Sequence, residues 1–224
     1  MVPLRTRPSR SLRLAVGTAA AALLLVALAL VFPGLFKREQ GSPVLRSLGV
    51  RPDRDGRLLG HFPYRELASD QLASVAPGLQ MQRDAAAALL AMQSAARDDG
   101  VDLVVLSGFR SIATQNKLFF DVKSERNQSA KERARVSAPP GYSEHSTGYA
   151  ADLGDGREPQ TNLSVSFEQT EAFAWLQQHA HRFQFVMSFP AGNPQGVSYE
   201  PWHWRFEGTA QALRVFEPAL RLSR

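Results

Sequence analysis

A chain of 224 residues, 44% of them apolar, is long enough for one export or membrane segment plus a single domain with a proper core. Its formal charge of +5 is concentrated at the start: Arg5, Arg7, Arg10 and Arg13 have no acidic residue near them, and the 22 basic and 21 acidic side chains beyond residue 36 leave +1. That balance, without a basic stripe carrying aromatics, excludes nucleic acid as a partner; the absence of cysteine excludes disulfides and leaves any zinc to His and carboxylate.

Residues 14–36 are apolar apart from Thr18, with Gly17, Pro33 and Gly34 as local breakers, and are about long enough to cross a bilayer as a helix. The four arginines before them predict a cytoplasmic tail over 1–13, a single-pass anchor over 14–36 and everything later outside the cytoplasm, on the periplasmic or cell-wall side. A cleaved signal peptide, cut after Ala27-Leu28-Ala29, is the alternative. Residues 37–57, rich in Arg, Gly, Pro and Asp, read as a linker to a domain over 58–224. His61, beside Pro63, reads as a surface or packing residue.

The Ala/Leu/Met composition of residues 80–97 predicts a helix ending near Asp98-Asp99-Gly100. Residues 101–106 are an apolar, β-branched run between glycines, a buried strand. Ser107-Gly108-Phe109-Arg110-Ser111 ends that strand, and a helix capped by a Ser follows over 112–126. Arg110 then sits at a strand-to-helix corner with Gln115 about one turn on, although a surface ion pair is the default for an arginine. Residues 127–140 read as a mobile loop over a cleft.

Within Tyr142 to Asp152 stand His145, Gly148 and Asp152, and some fifty residues later comes Glu200-Pro201-Trp202-His203. A His or Asp alone in a loop is usually a turn or surface group. Two His and one Asp together make a three-ligand zinc set with a fourth position open for water, and Glu200 is the natural base for that water. The spacing by itself leaves a metal site and a satisfied polar cluster equally open. Residues 150–153 predict a strand turning at Gly154-Asp155-Gly156, residues 167–181 a helix with His179 and His181 exposed, and residues 183–189 a strand. Pro201 argues against a helical His-Glu-x-x-His arrangement, so residues 202–206 predict a bent strand with aromatics in the core and His203 at the cleft. A last helix is expected over 209–216.

These motifs, Ser107-Gly-Phe-Arg-Ser111 with Gln115, Ser143-x-His145-x-x-Gly148-x-Ala150-x-Asp152 and Glu200-x-x-His203, resemble the VanY-type D-alanyl-D-alanine carboxypeptidases, zinc peptidases that share a fold with VanX dipeptidases and the hedgehog signalling domain. The likeness spans residues 58–208. It implies an α+β fold, a small, mostly antiparallel sheet with packed helices, here behind one N-terminal transmembrane helix. Carried over, it makes His145, Asp152 and His203 the Zn2+ ligands, Glu200 the general base, Arg110 the group opposing the oxyanion or holding substrate, and Gln115 and Ser143 substrate contacts. The implied activity is removal of the terminal D-alanine from peptidoglycan stem peptides; with the N-terminal anchor, the expectation is a monomer held in a bacterial membrane. Cleavage of an L,D bond or of a cross-link, and a non-catalytic peptidoglycan-binding module, are the alternatives. Gln184 stands before Phe185 where many relatives have Gly, which bears on a turn and not on a ligand.

Overall fold

The structure, a computed structural model, describes residues 48–222. The expected tail, anchor and most of the linker lie outside the described residues; among the described residues no helix is long and apolar enough to cross a membrane. The architecture is α+β. A hairpin of β1 (Leu72–Ala76) and β2 (Leu79–Gln82) precedes α1 (Arg83–Asp98), β3 (Leu103–Ser107), α2 (Ile112–Glu125) and the short α3 (Ala130–Ala134). Then come β4 (Ala150–Asp155), α4 (Glu171–His179), β5 (Phe185–Met187), β6 (His203–Phe206) and α5 (Ala210–Leu222). The larger sheet is wholly antiparallel, in the order β3-β4-β6-β5.

The helix expected from residue 80 starts later. Residues 79–82 pair with β1 across the Gly78 turn, and the Gln82 side chain then caps α1 by accepting from the amides of Asp84 (2.7 Å) and Ala85 (3.2 Å). From there Ala85, Ala86, Leu89, Met92 and Ala96 recur at helical spacing and are buried, so α1 lays one apolar stripe on the core. Leu89, Met92, Leu153, Leu176, Phe167 and Phe216 are among its fully buried members. Truncating one, as in Leu89→Ala, costs about 2–5 kcal/mol at such sites.

Further expectations are corrected. The helix over 167–181 is broken: Thr170 is extended and its hydroxyl accepts from the Phe173 amide, so a 3₁₀ turn ends there, α4 begins at Glu171, and a second 3₁₀ turn follows it. His181 is exposed as expected, but His179 is half-buried with its ring stacked 4.7 Å from that of Trp175. The expected loop over 127–140 contains α3, started by a reciprocal capping box between Ser129 and Glu132. The last helix runs on to Leu222 with Pro218 inside it. Gln184 adopts φ 62°, the left-handed region a glycine enters freely, so a Gly would suit that turn.

What positions the site is one row of the sheet. The register sets Ser107 opposite Asp152 and Asp152 opposite His203, so three strands place these residues side by side. β4 is the strand between, with all six residues buried, and alternation puts Leu153 in the core while Asp152 faces the cleft.

Candidate active site

A cleft of about 490 Å³ opens over this row, with His145, Asp152, His203, Glu200, Arg110 and Ser143 in its wall. His145 lies on a 3₁₀ turn, Glu144–Thr147, closed where Gly148 takes φ 72° and donates to the His145 carbonyl. The positive φ of Gly148 is what disfavours another residue there; a Cβ would also sit 3.1 Å from the Gln82 backbone nitrogen.

The donor atoms converge. His145 Nε2 is 3.2 Å from Asp152 Oδ2, His203 Nδ1 is 3.1 Å from Asp152 Oδ1, and donors from the three buried residues all lie within 4.8 Å of one another. Each imidazole is oriented by its other nitrogen: His145 Nδ1 donates to the Gly108 carbonyl at 2.7 Å, and His203 Nε2 meets Glu144 Oε2 at 3.0 Å. Burial, helped by the charges of Arg110 and His203, pushes the His145 ring below its ordinary value despite Asp152. Neutral, with its proton on Nδ1, His145 turns a lone pair toward a carboxylate oxygen. Lone pair facing lone pair at that distance is favourable with a cation between them. Two nitrogens and an oxygen suit zinc, and carbonyl or carboxylate partners behind both rings are the usual support of a metal-binding histidine.

Glu144 was not singled out in the sequence, and it is the pivot of the floor. It is buried, accepts from Ser188 Oγ (2.5 Å) and from Arg205 (3.3 Å), and contacts His203. Burial alone would raise its carboxyl, but Arg205, His203 and Ser188 outweigh that and hold it down at about 2. Asp152 likewise stays well below the carboxylate range, burial being outweighed by the two imidazoles. Burial also works against a charged His203, yet the flanking Asp152 and Glu144 push it up to about 10, so a cation bound at Nδ1 would have to displace a proton there. The signal available in the sequence was a carboxylate directly beside a candidate ligand in a Gly- and aromatic-rich segment.

Glu200 is buried in the cleft wall, its carboxylate 4.0 Å from His203 Nδ1 and its amide donating to the Phe189 carbonyl. Burial lifts its carboxyl to about 7; His203 and Arg110 oppose the rise, and Asp152 and Glu144 add to it. Arg110 is held by Ser107 Oγ (2.8 Å) and Gln115 Oε1 (3.0 Å), 3.5 Å from Asp152 Oδ2. Gln115 is 1% exposed and its amide nitrogen is spent on Ser137 and the Ala138 carbonyl, so it stands behind Arg110 and not in the cleft. Ser143 lines the cleft beside His145. His61 is a packing residue: its Nε2 lies 2.7 Å from the Ala134 carbonyl at the end of α3, and the three-donor set does not include it.

A family model described as VanY, D-alanyl-D-alanine carboxypeptidase, matches residues 78–209. Putative carboxypeptidase YodJ of Bacillus subtilis is 36% identical over 145 residues, which is 63% of this chain and 52% of that protein, so the chain spans about half the length of this curated relative. Among solved structures, the LdcB LD-carboxypeptidase is 29% identical with a TM-score of 0.54 and 75% of each chain covered. VanYB in complex with D-alanine-D-alanine is 26% identical with a TM-score of 0.57, covering 79% of this chain and 96% of its own.

Proposed function

The chain belongs to the VanY D-alanyl-D-alanine carboxypeptidase family, and from that premise we propose that it is a zinc-dependent carboxypeptidase trimming the terminal D-alanine from peptidoglycan stem peptides. The observation that carries the reading is the convergence of His145 Nε2, Asp152 and His203 Nδ1, with each imidazole already committed on its far side. A zinc ion held by these three would supply an acidified water and a Lewis acid for the scissile carbonyl.

The remaining roles belong to the chain. Glu200, beside His203 in the cleft wall, takes the proton of the attacking water and returns it to the leaving amine. Arg110, fixed by Ser107 and Gln115, presents its guanidinium to the charge developing on the carbonyl oxygen. Gln115 acts through Arg110, and Ser143 contacts the peptide. A binding module would need neither a carboxylate base nor a fixed guanidinium beside the donor set, which favours the enzyme. In this reading residues 1–13 are a cytoplasmic tail, 14–36 an anchor, 37–57 a linker and 58–224 a monomeric catalytic domain facing the wall.

The likeness to LdcB supports a second reading, an L,D-carboxypeptidase on the same residues. Incubating the zinc-loaded full chain with muramyl pentapeptide and tetrapeptide, and following product masses, separates the two. Loss of one alanine from pentapeptide supports D,D cleavage; loss from tetrapeptide alone moves the assignment to the L,D bond. Inertness toward both overturns the carboxypeptidase reading.

A further inference from the structure

Arg133, on α3, forms part of the cleft wall together with Arg126. It is 9% exposed, and its Nε is sealed from solvent with no hydrogen-bond partner. Among the described residues no carboxylate lies within ion-pair distance of either arginine. The acidic residue nearest in sequence, Glu132, is engaged by Ser129 in the capping box. Burial, and then the charge of Arg126, work against the charged form of Arg133, but a guanidinium keeps its proton in proteins. A buried cation without a counter-ion is costly, and it persists where something outside the chain completes it.

The wall that holds it is fixed to the domain. The Ala134 carbonyl meets His61 at 2.7 Å, and the Arg135 carbonyl accepts from the Ser198 amide at 3.2 Å. The exposed aliphatic side chains of Leu118, Val136 and Leu163 rim the same cleft. The site therefore offers a planar guanidinium in a cleft with an apolar rim, which matches a carboxylate approached by a short aliphatic segment.

We propose that Arg133, supported by Arg126, is a carboxylate-recognising subsite that holds an acidic group of the peptide substrate. The proposal rests on the carboxypeptidase reading and deepens it, by requiring that a carboxylate of the stem peptide be free. Two groups share this chemistry, the C-terminal carboxylate and the side-chain carboxylate of an internal residue, and the test tells them apart.

The zinc-loaded full chain carrying Glu200→Gln, to keep peptide intact, is titrated calorimetrically with four forms of one muramyl pentapeptide. One has both carboxylates free, one is amidated at the C-terminus, one at the internal acid, and one at both. One of the two single amidations is expected to weaken binding about tenfold or more, and which one it is names the carboxylate. Adding Arg133→Gln should weaken the free peptide by the same factor and erase the difference between those forms. Arg133→Lys, which keeps charge and stem without the fork, should give an intermediate loss, and thermal melts establish that both variants fold. Variants that discriminate among the four peptides as the parent does overturn the subsite, while wild-type cleavage of pentapeptide leaves the enzyme reading intact. Peptides neither bound by the parent nor cleaved by the wild type overturn both.

Discussion

Arg205 and Arg133 are both buried, at 7% and 9% exposure, yet they stand in opposite surroundings. Arg205, on the floor of the site, reaches Glu207 at 2.7 Å and Glu144 at 3.3 Å, and through Glu144 it is joined to His203 and Ser188. Arg133, on the α3 wall, has among the described residues no carboxylate within ion-pair distance, and its Nε is orphaned. Apart from the lone pairs that His145 and Asp152 turn toward each other, the floor pairs its charges within the chain, which orients its imidazoles and carboxylates before a ligand arrives. The wall leaves a charge open. A site that must hold a metal in one geometry gains from the first arrangement; one that must admit and release a charged peptide needs the second.

The largest expected break of this contrast is on the floor. His203→Ala removes a donor and the partner of both Asp152 and Glu144, and elemental analysis should find no stoichiometric zinc and assays no turnover. A fully metallated variant would refute the ligand assignment. Next is Glu200→Ala, which should keep its zinc and lose about 10²–10⁴-fold in turnover, the span of general acid–base catalysis. Wild-type rates on pentapeptide would remove Glu200 as the base.

Glu144→Gln is milder. It leaves all three donors in place but removes the charge behind His203, and should weaken zinc binding about 10–100-fold in a competitive chelator titration. Unchanged affinity would mean that Glu144 serves Arg205 alone. The smallest effect should be on the wall, and of opposite sign: Arg133→Met deletes an uncompensated buried charge and should raise the thermal midpoint by about 2–4 °C. The same change at Arg205 strands Glu144 and should lower it. A fall in both would show that Arg133 has a structural partner.

Much of the floor was legible in the sequence because its residues fall in three short segments whose types are scarce. With five His in the chain, two of them beside Asp152 and Glu200 motifs already mark the donors. The row from Ser107 through Asp152 to His203 was not legible, since register is a property of pairing and not of any one strand. The β1–β2 hairpin was hidden because Gln82 caps a helix from a strand end, a role usually taken by Ser, Thr, Asp or Asn. α3 reads as loop in the sequence because its five residues carry one turn and no apolar period. Arg133 could not be singled out at all: among 26 basic residues, burial without a partner appears only in three dimensions.

In the proposed reaction, hydrolysis depends on one metal held by His145, Asp152 and His203. The full chain should be stripped with chelator, titrated with zinc, and assayed on pentapeptide at each step. No turnover is expected in the stripped chain, then a linear rise that saturates at one zinc per chain, with His203→Ala flat throughout. Full turnover in the stripped chain, or saturation by zinc in His203→Ala, would contradict that dependence.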